Sequence, residues 1–129
     1  MTRKEIATMI SAVGVPYAYQ AFSPDTAKAP PFICFFYGNS EDMIADNINY
    51  QKIDRLYIEL YTDQKDFSLE ATVEGILTNY ELPFFRSETY IDGEHMYEVI
   101  FETTVVITQD ANTSDIVGEA QADYAILRR

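Results

Sequence analysis

The residues that could carry chemistry in this chain are few and scattered. The chain has one histidine, His95, and one cysteine, Cys34, which excludes an internal disulfide. His95 follows the turn signal Asp92-Gly93, and acidic side chains near it could gather a divalent cation, but their spacing matches no calcium loop or zinc pattern. These acids are Glu88, Asp92, Glu94 and Glu98. We interpret them as charges that solvate a hairpin.

Other catalytic arrangements have no better support. Asp42 and Asp46 would repel each other at close range, and a raised pKa there would suit acid chemistry, but both lie near a predicted solvated hairpin tip. The sequence has no G-x-S-x-G motif, no glycine-rich phosphate loop and no serine with an assignable base. Cys34 lies in an apolar β-pattern and is expected to pack as a small buried residue. We predict that the protein is not an enzyme and uses no metal or cofactor.

Length and charge narrow the class of protein further. The 129 residues suffice for one domain that buries about two thirds of its unfolded surface. No apolar run approaches the roughly 18 residues that cross a membrane, and the first residues form an amphipathic helix pattern rather than a signal peptide. The formal net charge of −12 repels nucleic acid phosphates and anionic lipid. We expect a soluble protein that binds neither membrane nor DNA specifically.

The stretch from residue 32 to 61 organises the chain, because it alternates as one long antiparallel β-hairpin. Folding it back at Asp46-Asn47 brings three apolar pairs onto one face. These pairs are Ile33 with Leu60, Phe35 with Ile58 and Tyr37 with Leu56. Asx residues tolerate positive φ, which suits that turn. We expect the pairing to lapse at residues 38–42 and the tip to project as an arm.

The rest of the chain predicts two helices and further strands. A capping box at Thr2 and Glu5 begins a helix over residues 3–13, while Asp66 caps a second helix that Pro83 ends. Strand patterns cover residues 17–22, 84–91 and 96–108.

The predicted fold class is therefore α+β. It combines a mixed, mainly antiparallel sheet with a long β-hairpin arm and two helices packed on one face, in the order α-β-β-β-α-β-β. Residues 1–108 form a single domain in this interpretation. Residues 109–129, which are rich in turn-forming residues, are expected to be a C-terminal arm or a flexible tail.

Aromatic residues exceed what one small core can bury, since the chain has ten tyrosines and eight phenylalanines. They form either an amphipathic open sheet face or a contact with other subunits, and the protruding arm favours the contact. The second face of the hairpin pairs Cys34 with Glu59, Phe36 with Tyr57 and Phe32 with Tyr61. The candidate interface residues are Glu41, Asp42, Met43, Ile44, Asp46, Asn47, Tyr57 and Tyr61.

Three stretches then carry a family resemblance. They are APPFICFFYGNSEDMIADN, IDRLYIELYTDQKDFSLEATVEGIL and RSETYIDGEHMYEVIFE. In this order of elements they resemble small prophage proteins of Gram-positive bacteria, which are similar in size and layout to the tail terminator or tail-completion proteins of long-tailed phages. The resemblance covers about residues 2–107 and consists of structural patterns rather than chemical motifs.

The resemblance implies a structural role in virion assembly. A homo-oligomeric ring, with six subunits expected, would cap the tail tube and join it to the head connector, while DNA passes through without specific binding. Assembly in the host cytoplasm and a final place in the virion tail would follow, and no catalytic residues are implied. Two alternatives stay open: another head-tail connector or neck component, or a monomeric protein-binding module that uses its aromatic sheet face.

Overall fold

The computed structural model describes residues 1–108, which form a five-stranded sheet, a small two-stranded sheet and two helices. In chain order the elements are α1 (Arg3–Ser11), β1 (Tyr17–Tyr19), β2 (Phe32–Ser40), β3 (Met43–Ala45), β4 (Ile48–Gln51), β5 (Ile53–Thr62), α2 (Phe67–Asn79), β6 (Phe84–Ile91) and β7 (Met96–Val106). The large sheet has the order β1-β2-β5-β7-β6, and only its β1–β2 pair is parallel. The predicted α+β class is confirmed. The predicted C-terminal arm or tail, residues 109–129, lies outside the described residues.

The long hairpin has the register that the sequence predicts. All six expected pairs of β2 with β5 are present, from Phe32 opposite Tyr61 to Tyr37 opposite Leu56. The turn residues Asp46 and Asn47 have φ values of 52° and 65°, as a two-residue turn with positive φ at both positions requires. The register holds because a slip by one residue would carry every apolar side chain of one face to the opposite face.

Two bulges divide this hairpin instead of the single lapse that we expected at residues 38–42. Beyond Tyr37 the register shifts by one residue, so that Ser40 lies opposite Asp54. Between Met43 and Ile44 it shifts back. Bulges bend and twist a strand pair, which accounts for the separate two-stranded sheet at the tip. Because the two shifts compensate, the turn stays where an uninterrupted hairpin would place it.

Three elements end earlier than their sequence patterns predict. Helix α1 stops at Ser11 because the chain turns through Gly14, whose φ is 90°. Strand β1 stops at Tyr19 because Gln20 has a φ of 73°. Strand β7 ends at Val106. One further hydrogen bond follows it, in which the Ile107 N–H donates to the carbonyl of Lys52, the residue before β5.

The main core lies between the large sheet and both helices. Helix α1 begins with the predicted capping box, in which the Thr2 hydroxyl accepts from the Glu5 N–H at 3.0 Å. Helix α2 is capped by Asp66, whose side chain accepts from the Leu69 N–H at 2.9 Å. The buried residues that they enclose include Ile6, Met9, Ile10, Ile33, Phe35, Leu56, Ile58, Leu60, Val73, Leu77, Val99 and Phe101. Among the described residues, the opposite face of the sheet is therefore not covered by a helix.

A buried carboxylate fastens α2 to β6. Glu70 is only 2% exposed, and its two oxygens pair with Lys65 at 2.5 Å and Arg86 at 2.8 Å. Lys65 also contacts Glu88 of β6. A buried ion is tolerated when opposite charges surround it, and loss of one partner is strongly destabilising. The side chains of Arg86 and Glu88 are therefore held in position at the edge of the sheet.

Gly38 lies at the first bulge against the ring of Tyr57, which stacks on Phe36 with 5.0 Å between ring centroids. A Cβ on Gly38 would come within 2.5 Å of that ring. We expect Gly38→Ala to displace Tyr57 and to lower the free energy of unfolding by about 1–3 kcal/mol, the usual cost of overpacking. Chemical denaturation measures this change.

The control is Gly75→Ala in α2, where an added Cβ meets no atom within 4 Å. This variant should be neutral or more stable, because alanine is the better helix former. Equal denaturation midpoints for Gly38→Ala and the wild type would contradict this expectation, because they would show that the space between residue 38 and the Tyr57 ring can accept a methyl group.

Candidate interaction surface

The tip of the hairpin, residues 43–51, projects from the domain, and we call it the arm. Every residue from 43 to 50 is exposed. Its large apolar side chains are exposed by 57–72%, namely Met43, Ile44, Ile48 and Tyr50. An isolated two-stranded hairpin is only marginally stable in water, and this short segment exposes four large apolar side chains, a feature of contact surfaces. The arm is therefore the strongest candidate interaction surface among the described residues.

Asp42 holds the base of the arm. Its carboxylate accepts hydrogen bonds from the Ile53 N–H at 2.8 Å and from the Asn49 side chain at 2.9 Å. These two donors, the backbone N–H first, lower the pKa of Asp42 because they stabilise its charged form. The contact joins the end of β2 to both strands that return from the tip, so that the arm leaves the sheet in a defined direction.

A second set of contacts ties the same base to the middle of the sheet. The Glu41 N–H donates to the Ile53 carbonyl at 2.7 Å. The Arg55 guanidinium pairs with the carboxylates of both Glu41 and Glu102. Since Glu102 belongs to β7, this arginine links the arm to the neighbouring strand as well as to its own. The exposed apolar tip therefore stands on a polar, well-bonded base.

The predicted interface residues divide into four groups. Met43, Ile44, Asp46 and Asn47 lie on the exposed arm, while Glu41 and Asp42 form its base. Tyr57 is half-buried on the face opposite the helices. Tyr61 is 0% exposed, so its side chain is not part of the described surface. The structure thus brings six of the eight residues together at the arm.

Tyr61 belongs to a second apolar cluster on the sheet face opposite the helices. Its ring stacks on Phe32 at 4.9 Å, and its hydroxyl donates to the Glu98 carboxylate at 2.6 Å. Phe22, from the loop after β1, packs edge-on against Phe32 at 5.5 Å. Phe22 thus packs against the cluster in which Tyr61 is buried. Cys34 is fully buried in the same cluster, which confirms its predicted packing role.

A pocket of about 540 Å³ adjoins this second cluster. Its walls include Phe22, Phe32 and Met96, and Lys28 and His95 also line it. It lies where β2 and β7 begin, whereas the arm emerges where β2 ends. The pocket and the arm are therefore at opposite ends of the sheet.

Ile48, Tyr50 and Phe85 are exposed apolar residues that were not among the candidate interface residues. Ile48 and Tyr50 alternate along β4, and that two-residue spacing was a usable signal for one strand face. Phe85, which is 78% exposed, lies on the edge strand β6 opposite Glu102. The exposure of Phe85 could not be predicted from the sequence pattern. It depends on the position of β6 as the last strand of the described sheet.

The described residues show no arrangement for metal chemistry. Within residues 1–108, no group of three or more His, Cys, Asp or Glu side chains lies close enough to hold an ion. His95 is exposed, and its ring nitrogen lies 3.5 Å from the Tyr90 hydroxyl. In the same part of the chain, neither helix has the length and apolar character needed to span a membrane.

Comparison with known proteins adds a structural relationship. No protein-family model and no curated protein matches the chain. Among solved structures, a chain from the virion of a native gene transfer agent particle is similar, with a TM-score of 0.54 and 13% sequence identity. The match covers 76% of this chain and 83% of that chain. At this identity the likeness shows a shared fold, over most of both chains.

The contacts of Asp42 predict that its removal loosens the arm without unfolding the domain. We expect Asp42→Ala to give several-fold faster amide hydrogen exchange in residues 43–51, because two hydrogen bonds at the base are lost. The thermal midpoint should change little, since Asp42 is not part of the main core. Asp25→Ala, in the loop between β1 and β2, is the control. Unchanged exchange in Asp42→Ala would show that the base does not order the arm.

Proposed function

We propose that the protein is a structural component of a phage or phage-like virion and that it assembles through the arm. The observation that carries this proposal is a projecting hairpin with four large apolar side chains exposed on a bonded polar base. The fold shared with a chain of a gene transfer agent virion supports the same class of role. The function is structural rather than catalytic, and its partners are other virion proteins.

The specific role proposed is that of a tail terminator or tail-completion protein. The chain forms a ring, with six subunits expected, that caps the tail tube and joins it to the head connector. A ring needs a heterologous contact, in which one surface meets a different surface of the next copy. The arm and the apolar pocket supply two different surfaces at opposite ends of the sheet.

The charge of the protein is compatible with this role. A net charge of −12 keeps DNA phosphates from adhering to the ring as DNA passes. The protein would assemble in the host cytoplasm and remain in the virion tail. A head-tail connector or neck component would use the same arm and would differ only in the proteins that it contacts.

A monomeric protein-binding module is the second candidate, and the open edge of β6 favours it. This strand has exposed or half-buried residues throughout and could accept a peptide as an added strand. Affinity capture separates the two candidates: a virion component retains proteins of the same phage, whereas a binding module retains a host protein.

The arm can be tested with Met43→Asp combined with Ile44→Asp. We expect normal circular dichroism, because both side chains are exposed, and at least a tenfold loss of ring assembly, because two charges would enter an apolar contact. Mass photometry and negative-stain imaging, alone and with purified tail tubes, measure assembly.

The matched control is Phe67→Asp combined with Tyr80→Asp, which adds two charges at exposed apolar positions at the ends of α2. It should assemble as the wild type does. A folded arm variant that assembles normally contradicts the proposal, and an unfolded one would mean that the tip contributes to the core.

A further inference from the structure

Within residues 1–108, β6 is the last strand of the large sheet and lacks several common protections of an edge. It pairs with β7 along all eight residues and without a register shift. Among the described residues, no strand pairs with its outer side. Natural edge strands are commonly short, bulged or interrupted by proline, and β6 has none of these features. Its charged side chains, Arg86 and Glu88, are the remaining device that limits which strand can bind there.

The sequence of β6 is complementary to itself in one antiparallel register. A two-fold axis perpendicular to the sheet keeps the helices of two paired copies on the same side. Residues directly opposite each other must then point to the same face. The axis therefore passes through a residue that lies opposite its own copy. An axis at Ser87 places Arg86 opposite Glu88 of the second copy, and the symmetry creates this pair twice. The same register places Phe84 opposite Tyr90 and Phe85 opposite Thr89 of the second copy.

The neighbouring registers are disfavoured by charge. An axis at Arg86 places two arginines opposite each other, and an axis at Glu88 does the same with two glutamates. Like charges directly opposite on adjacent strands are destabilising. Of these three central registers, only the one at Ser87 pairs opposite charges.

The existing ion pairs hold the two charged side chains ready for this contact. Arg86 is bound to the buried Glu70 and Glu88 to Lys65, yet the side chains of Arg86 and Glu88 each remain 44% exposed. The dimer would join these pairs into one line of alternating charges across the axis. Because the side chains are already positioned, little of their conformational freedom is lost on association.

We propose that two copies of this chain pair antiparallel through β6 about an axis at Ser87, which makes one continuous ten-stranded sheet. The contact is isologous and closes on two copies, so it differs from the heterologous contact of a ring. It covers the open edge of the free protein before assembly. The inference goes beyond the proposed virion role and does not depend on it.

Cysteine cross-linking tests the register directly. In Ser87→Cys the two thiols meet at the axis, where the Cα atoms of an antiparallel pair lie about 4.5–5.5 Å apart, within disulfide range. In Thr89→Cys, on the same face of the same strand, the Cα atoms of the two copies would lie about 14 Å apart. The native Cys34 is buried, so the wild type serves as the background.

Under mild oxidation at micromolar concentration, Ser87→Cys should form a linked dimer on a non-reducing gel, while Thr89→Cys and the wild type remain monomeric. Met43→Asp with Ile44→Asp, added to Ser87→Cys, should still cross-link, which separates this contact from the arm. Glu88→Arg should raise the dissociation constant of the dimer at least tenfold in analytical ultracentrifugation. Equal cross-linking of both cysteine variants, linkage of Thr89→Cys alone, or no linkage would overturn the proposal.

Discussion

The pairing of β2 with β5 is the constraint on which the rest of the structure depends. Its core-facing side chains, such as Phe35 opposite Ile58, are buried beneath both helices. A shift by one residue would turn this apolar row away from the helices and place Glu59 on the side that they cover. The register is therefore set by hydrophobic burial. It also determines where the chain turns at Asp46-Asn47, and thus how far the arm extends.

The arm must meet two opposing physical requirements. Its tip exposes apolar side chains that would be more stable in contact with a partner, yet the free protein must hold that tip in place. The base meets the second requirement with charge and hydrogen bonds, through Asp42 and through Arg55 between two carboxylates. Polar contacts suit this task because they tolerate water and are directional. The arm is ordered at its base and apolar at its tip, as an assembly element needs to be.

The features that were predictable from the sequence follow from local rules. Strand alternation predicted the register, and the φ preference of Asx residues predicted the turn. The capping box predicted the start of α1. The features that were missed depend on distant packing. Tyr61 is buried in a cluster with Phe32, against which the distant Phe22 packs, and nothing near Tyr61 in the sequence encodes that packing. The exposure of Phe85 likewise depends on the order of strands in the sheet.

The overall charge limits how copies of the chain can meet. At −12, two copies repel each other at long range, and salt screens this repulsion beyond about 8–10 Å. Any association must then rely on short-range attraction that outweighs this repulsion. The proposed contacts would supply it as apolar contact at the arm and as opposite charges at the β6 edge. Arg86 is one of the few basic residues of the chain and lies two residues before Glu88. In the proposed pairing of two β6 strands, it would therefore meet an opposite charge only in the register centred on Ser87. General repulsion combined with local complementarity disfavours random aggregation while allowing defined contacts to form.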